Sequence, residues 1–273
     1  MAGRRAVVPS MAGVPERPGP GRVDGGLVYV GHATVLIQLA GVRLLTDPLL
    51  VARVGHIRRR VPAPAIPALL PLDAILISHA HLDHLHVPSL RKVADGVPVI
   101  APRGCAAIVR RAGAGEVIEL MPGERCAVGA VGVTAVASRH DGRRHPLGPH
   151  MPALGYLLDG PARVYFAGDT DLFGELAALA GRVDVALLPV AGWGPRLPEG
   201  HLGPESAAQA AALIRPAVAV PIHWGTMRSV GARADGDPRA PALAFAAAVE
   251  ALGLATAVRI LMPGEATSLP AAA

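Results

Sequence analysis

The stretch "ILISHAHLDHLH", residues 75–86, sets four histidines and an aspartate directly behind an apolar run. Ionisable groups packed this densely repel or desolvate one another unless something cationic organises them. A solvated polar loop is the plain alternative. Within the run, His79, His81, Asp83 and His84 form an H-x-H-x-D-H pattern. If the segment is a loop that turns into a helix near Asp83, His79 and His81 can point at one ion while Asp83 and His84 turn toward a second. Imidazole and carboxylate suit zinc, iron or manganese.

Reading outward, four apolar runs each end in a residue of metal-binding type. "AILIS" leads to His79, "VTAVASR" to His140, "RVYFAG" to Asp169 and "AVAVPI" to His223. Functional groups gather at one end of the strands of a helix-covered sheet, where loops are held rigidly yet stay open to substrate. His140, Asp169 and His223 therefore join the cluster as expected ligands. His32, His56, His86, His145 and His150 stand singly and are read as core or surface histidines, outside the ligand set.

The rest of the chain is consistent with one folded α/β domain. It has 273 residues and is 51% apolar, enough for a substantial core. Short strands such as "TVLIQL" and "VRLLT" open it, and apolar strands then alternate with Ala-rich helices expected near 87–94, 104–112, 204–214 and 241–251. Residues 51–72, rich in Pro and holding Arg58, Arg59 and Arg60, are expected to form an extended surface loop that could border a substrate site. Residues 1–25 read as a disordered leader, with the domain spanning 26–268.

The formal charge of +5 would suggest nucleic acid, but Lys92 is the only lysine. With the excess of Ala, Gly and Pro, this is a composition bias, so no nucleic-acid partner is expected. Cys105 and Cys126 lie in no metal or disulfide spacing, which fits reduced thiols in a cytoplasmic protein. No membrane span is expected, because "ALAFAAAVEALGLATAVRIL" is broken by Glu250 and Arg259.

These residues resemble the metallo-β-lactamase superfamily over nearly the whole chain. Its five motifs occur in order as Asp47 in "LTDP", "HAHLDH" at 79–84, His140, Asp169 in "AGDT" and His223 in "PIHWGT". The resemblance implies a four-layer αββα sandwich with a dinuclear site between its sheets. It places His79, His81 and His140 on one metal, Asp83, His84 and His223 on the other, and Asp169 between them. "VGHATVLIQLAGVRLLTDPLL" and "HLGPESAAQAAALIRPAVAVPIHWGT" look most like the branch of N-acyl-phosphatidylethanolamine phospholipase D and ascorbate-6-phosphate lactonase. "HDGRRHPLGPHM" keeps Arg144 at the matching offset but lacks the aromatics of the phospholipase pattern, so the branch transfers better than the lipid substrate.

The expected activity is hydrolysis of a phosphodiester, lactone or related ester in a small anionic molecule. Two divalent ions, zinc foremost with manganese or iron as alternatives, would sit roughly 3.5–4 Å apart and share a hydroxide as nucleophile. Asp83 and His201 are the expected catalytic residues, His201 as proton donor or substrate contact. Asp47 is placed to accept a ligand-histidine N–H, the alternative being an ordinary turn aspartate before Pro48. Arg143 and Arg144 could grip a phosphate or form a solvated charged loop. An iron-dependent persulfide dioxygenase, a nuclease and a noncatalytic scaffold are the competing readings.

Overall fold

The computed structural model describes residues 25–62, 65–145, 147–194, 197–231 and 236–270. The expected leader lies outside them except for Gly25. Two seven-stranded sheets stack face to face. The first runs in spatial order Ala266–Ser268, Gly26–Gly31, Thr34–Leu39, Val42–Thr46, Ala74–Leu76, Val99–Pro102 and Val117–Leu120. The second runs Ala257–Val258, Val218–Ile222, Val185–Pro189, Val164–Phe166, Leu154–Asp159, Val131–Ala137 and Arg125–Val128.

Each sheet is antiparallel in one part and parallel in the other. Short hairpins join Gly26–Gly31 to Thr34–Leu39 to Val42–Thr46, whereas Ala74–Leu76, Val99–Pro102 and Val117–Leu120 pair in parallel through crossovers. In the second sheet Val164–Phe166, Val185–Pro189 and Val218–Ile222 are the parallel run. Strands buried on both faces read as continuous apolar runs. Ile37 and Leu44 face the core between the sheets with Phe166 and Leu188, while their neighbours Leu36 and Leu45 face the helical layer on the other side with Leu90 and Val109. Burying each such side chain contributes about 1.5–3 kcal/mol.

The outer layers follow from local signals. Pro204 opens helix Pro204–Ile214, Ser206 Oγ accepts the Gly203 N–H at 2.9 Å, and Ala207, Ala208, Ala211 and Ile214 bury its inner stripe. Helix Ala240–Ala251 packs beside it. Both were expected, as was the αββα layering. The helices expected near 87–94 and 104–112 are shorter, Val87–Leu90 and Ala106–Arg110. Among the described residues no helix is long and apolar enough to cross a membrane.

Residues 51–72 correct the sequence reading. Arg53–Val54 and Ile57–Arg59 join Met227–Ser229 in a separate three-stranded sheet, followed by the short helix Ile66–Leu69. Burial of Arg59 makes this possible. Its guanidinium donates from Nη1 to Leu49 O at 2.9 Å and from Nη2 to Val30 O at 2.8 Å, so a charge that composition assigned to solvent is satisfied by backbone carbonyls. Gly31, at φ +119°, is needed for this approach, since a Cβ there would come within 2.8 Å of Thr226 and 3.1 Å of Arg59 Nη2.

Candidate metal centre

The histidine-rich segment follows strand Ala74–Leu76 and meets the second sheet's side through Leu154 N–H to Ser78 O at 2.9 Å and Ala80 N–H to Gly142 O at 3.3 Å. Arg144 holds its shape by donating from Nη1 to Ala80 O at 3.0 Å and to Leu85 O at 2.9 Å. His140 follows Val131–Ala137, Asp169 follows Val164–Phe166 and His223 follows Val218–Ile222. All the expected ligand residues therefore meet where the ends of the two sheets face each other.

Two groups of donors form there. His79 Nε2 lies 2.9 Å from His81 Nδ1, which lies 3.2 Å from His140 Nε2. Tetrahedral zinc with nitrogens about 2.0–2.1 Å away spaces them about 3.3 Å apart, close to this arrangement. The second group, Asp83, His84 and His223, also includes His32, with ligand-type atoms within 4.8 Å of one another. Asp169 touches both groups. Its Oδ2 is 3.0 Å from His84 Nε2 and 4.0 Å from His79 Nε2, and its Oδ1 is 3.4 Å from His223 Nε2.

The outer nitrogens are fixed by the fold, which determines the tautomers. His140 Nδ1 donates to Gly200 O at 2.8 Å and His223 Nδ1 to Ala191 O at 2.7 Å. Asp47 serves two rings at once. Its Oδ2 accepts the His84 Nδ1–H at 2.7 Å and also the Ser78 hydroxyl, whose oxygen accepts from His79 Nδ1 at 2.9 Å. Its Oδ1 takes the Ser78 N–H at 2.7 Å. On the neutral rings the inward nitrogens are thereby left with lone pairs.

Among the described residues the buried atoms His223 Nε2 and Asp169 Oδ1 make no hydrogen bond, and His84 Nε2 faces only the carboxylates of Asp169 and Asp83. Orphaned donor atoms on fully buried imidazole and carboxylate groups are costly unless a cation takes them up, so the residues present fit one. Burial drives His81 down to about 4 and His223 down to about 3, keeping both neutral and able to ligate. For His84 burial acts in the same sense, but the charges of Asp169 and Asp83 outweigh it and raise this imidazole well above its ordinary value. Asp169 shows the reciprocal effect, with His223 and His84 overcoming burial to hold its carboxyl well below the ordinary range.

His201 stands at the rim. Its Nε2 is 3.5 Å from Asp169 Oδ2, its ring meets that of His140 edge-on at 4.7 Å, and Asp169 raises it against burial. Arg143 is exposed and engaged with Asp141 at 2.6 Å, and Arg144 is the staple described above, so both arginines contact protein groups. Cys105 and Cys126 are free and buried, and burial pushes their thiols up to about 12 and about 11, away from thiolate chemistry.

Sequence reasoning passed over His32 and Ser78. His32 sits at φ +59° in the turn between the first two strands, 2% exposed, with Nε2 3.0 Å from Asp83 Oδ2 and its ring centroid 3.9 Å from that of His223. Its backbone is tied in as well, since His32 O accepts the His223 N–H at 2.8 Å.

The family described as "Beta-lactamase superfamily domain" matches residues 42–224. A protein of Opitutus terrae named "UPF0173 metal-dependent hydrolase" is 32% identical over 88% of this chain and 97% of its own. The chain belongs to the metallo-β-lactamase superfamily. Within this superfamily it is also 31% identical to "N-acyl-phosphatidylethanolamine-hydrolyzing phospholipase D 1" of Caenorhabditis elegans, across 72% of this chain and 63% of the nematode protein. It spans 58% of the length of mycobacterial relatives that it matches at 31% identity. The metallo-β-lactamase fold is matched by the structure of Igni18, a metallo hydrolase of Ignicoccus hospitalis, with TM-score 0.69, 24% identity and coverage of 90% and 98% of the two chains.

Proposed function

We propose that this chain is a metal-dependent hydrolase with a dinuclear centre, zinc foremost, which cleaves a phosphodiester, lactone or related ester in a small anionic substrate. The observation that carries the reading is the position of Asp169 between two separate groups of buried donors. His79, His81 and His140 would hold one ion, and Asp83, His84 and His223 the other. When bound, such ions supply an activated water and positive charge against the scissile group.

The protein's own groups supply orientation and proton handling. Asp47 and Ser78 fix the rings of His79 and His84 with their Nε2 lone pairs inward. His201, mostly buried and raised by Asp169 against that burial, is positioned to give a proton to a leaving oxygen. Asp83, held ionised by His84 and His32 against burial, is the other group placed to steer a proton. The name of the nematode relative favours a phosphodiester among the ester classes. Two buried free thiols suit a reducing cytoplasm.

Elemental analysis of the purified protein, followed by a panel of bis-aryl phosphodiesters, lactones and thioesters, tests this reading. Asp169→Ala is expected to lower both metal stoichiometry and turnover by orders of magnitude. A metal content near zero in the native protein, or full activity in this variant, overturns it.

A further inference from the structure

The small three-stranded sheet carries a feature that the hydrolase reading does not use. Arg53 pairs directly with Arg58, and Arg58 directly with Arg228. Directly paired residues on neighbouring antiparallel strands share a face, so three arginines stand side by side across this sheet at strand spacings of about 4.8 Å. The opposite face holds Ile57 and the buried Arg59. Arg60 extends the row: its N–H donates to Thr226 O at 2.8 Å, and by alternation it falls on the Arg58 face.

Like charges directly opposite one another destabilise a sheet. Some exposed arginines of this chain are neutralised locally, as Arg103, Arg163 and Arg239 are by Glu124, Asp184 and Asp237. Among the described residues, Arg53, Arg58, Arg60 and Arg228 meet no carboxylate. Composition bias accounts for arginine in place of lysine. It does not account for three of them falling in register.

The sheet is also joined to the metal centre. Met227–Ser229 begins four residues after His223. Ser229 N–H donates to Trp193 O at 2.9 Å, and Trp193 lies two residues from Ala191, whose carbonyl holds His223 Nδ1. Arg59 binds Val30 O, two residues before His32.

We propose that Arg53, Arg58 and Arg228 form a binding site for the phosphate group of a small phosphorylated ligand on the flank of the metal centre. Guanidinium forks match tetrahedral oxyanions in bidentate fashion, and adjacent forks can share one dianion. A nucleic acid fits less well, because aromatics make up 3% of the chain and offer no run of stacking surfaces. A bilayer fits less well, because Val230 is the only exposed large hydrophobic on or next to these three strands among the described residues. The inference stands apart from the hydrolase reading and is tested by binding.

Inorganic phosphate titrated into the metal-loaded protein, followed by NMR of the arginine Nε–Hε groups, is expected to give saturable shifts at Arg53, Arg58 and Arg228. Arg58→Gln, an exposed change, should weaken this binding about tenfold. Replacing all three by Gln should abolish it while the circular dichroism spectrum is retained. Shifts reproduced by chloride at equal ionic strength overturn the proposal. So does arginine-dependent binding to phosphatidylglycerol–phosphatidylcholine vesicles, or to single-stranded oligonucleotide, without a response to free phosphate. Loss of hydrolysis with phosphate binding intact would sink only the hydrolase reading.

Discussion

His32 Nε2 lies 3.0 Å from Asp83 Oδ2, and that bond fastens the turn between the first two strands to the histidine-rich loop. Facing an ionised carboxylate, the imidazole must donate. Together with the backbone bond from His223 N–H to His32 O, it sets the spacing of two donors from opposite sheets. His32→Ala should cut turnover and affinity for the second metal equivalent by about 10–100-fold, the usual cost of losing a partner that orients a ligand. Metal titration alongside kcat checks this, and His32→Gln, which restores an N–H donor, should recover part of the loss. Unchanged stoichiometry in the Ala variant would count against the role.

Asp47→Asn preserves shape but spoils polarity. One amide oxygen must serve the Ser78 N–H, leaving the NH2 against a donating His84 Nδ1. The ring is then driven toward the other tautomer, with its N–H aimed at the metal position. Affinity for metal should fall about 10–100-fold with little change in substrate KM. Competition with a chromogenic chelator reads this directly.

The pH response of the metal-free protein has a definite sign. His81 at about 4 and His223 at about 3 lie below their ordinary 6.5, burial being the first cause in both. The unfolded chain therefore takes up these protons first. Their contribution to stability is complete above about pH 6.5 and is lost as the pH falls through 4 toward 3. Asp169, held below its ordinary 3.8, adds a loss of the same sign in stronger acid. His84 is raised and acts oppositely, but only as the pH climbs from 6.5 through its elevated value. Melting temperature should drop on going from about pH 7 to about pH 5, and added zinc should restore more of it at the higher value, since protons and metal compete for the same nitrogens. A melting temperature that rises toward pH 5 would contradict this.

Gly168 has φ +63°, and a Cβ there would come within 2.6 Å of Ser78 Cβ. Gly168→Ala should destabilise the fold by about 1–3 kcal/mol and, by displacing the turn that carries Asp169, reduce metal stoichiometry as well. Thermal unfolding with and without zinc separates the two effects. A stable variant with full metal content would show that the turn can relax.

Much of this was legible in the chain because the signals are local or periodic. The H-x-H-x-D-H cluster and the polar residues closing apolar strands led to His79, His81, Asp83, His84, His140, Asp169 and His223, and the structure brings these together. His32 was passed over because its partners lie 51 and 191 residues away in sequence. One signal was available: a histidine in a two-residue connection between strands, where a positive φ ordinarily calls for Gly, Asn or Asp. The misread segment 51–72 failed for a related reason. Prolines and arginines argue for solvent only while nothing says that Val30 and Leu49 present carbonyls to Arg59.

The donors of the centre hang from different halves of the sandwich. His79 and His84 follow a strand of one sheet, while His140, Asp169 and His223 follow strands of the other. Protein bonds already cross the same seam, from Tyr156 hydroxyl to Ile77 O at 2.7 Å and from Leu154 N to Ser78 O at 2.9 Å. A cation held by both sets would therefore be a rivet as well as a reagent. Any slip of one half past the other would pull the ligands apart, so the proposed chemistry would be available only while the halves stay clasped.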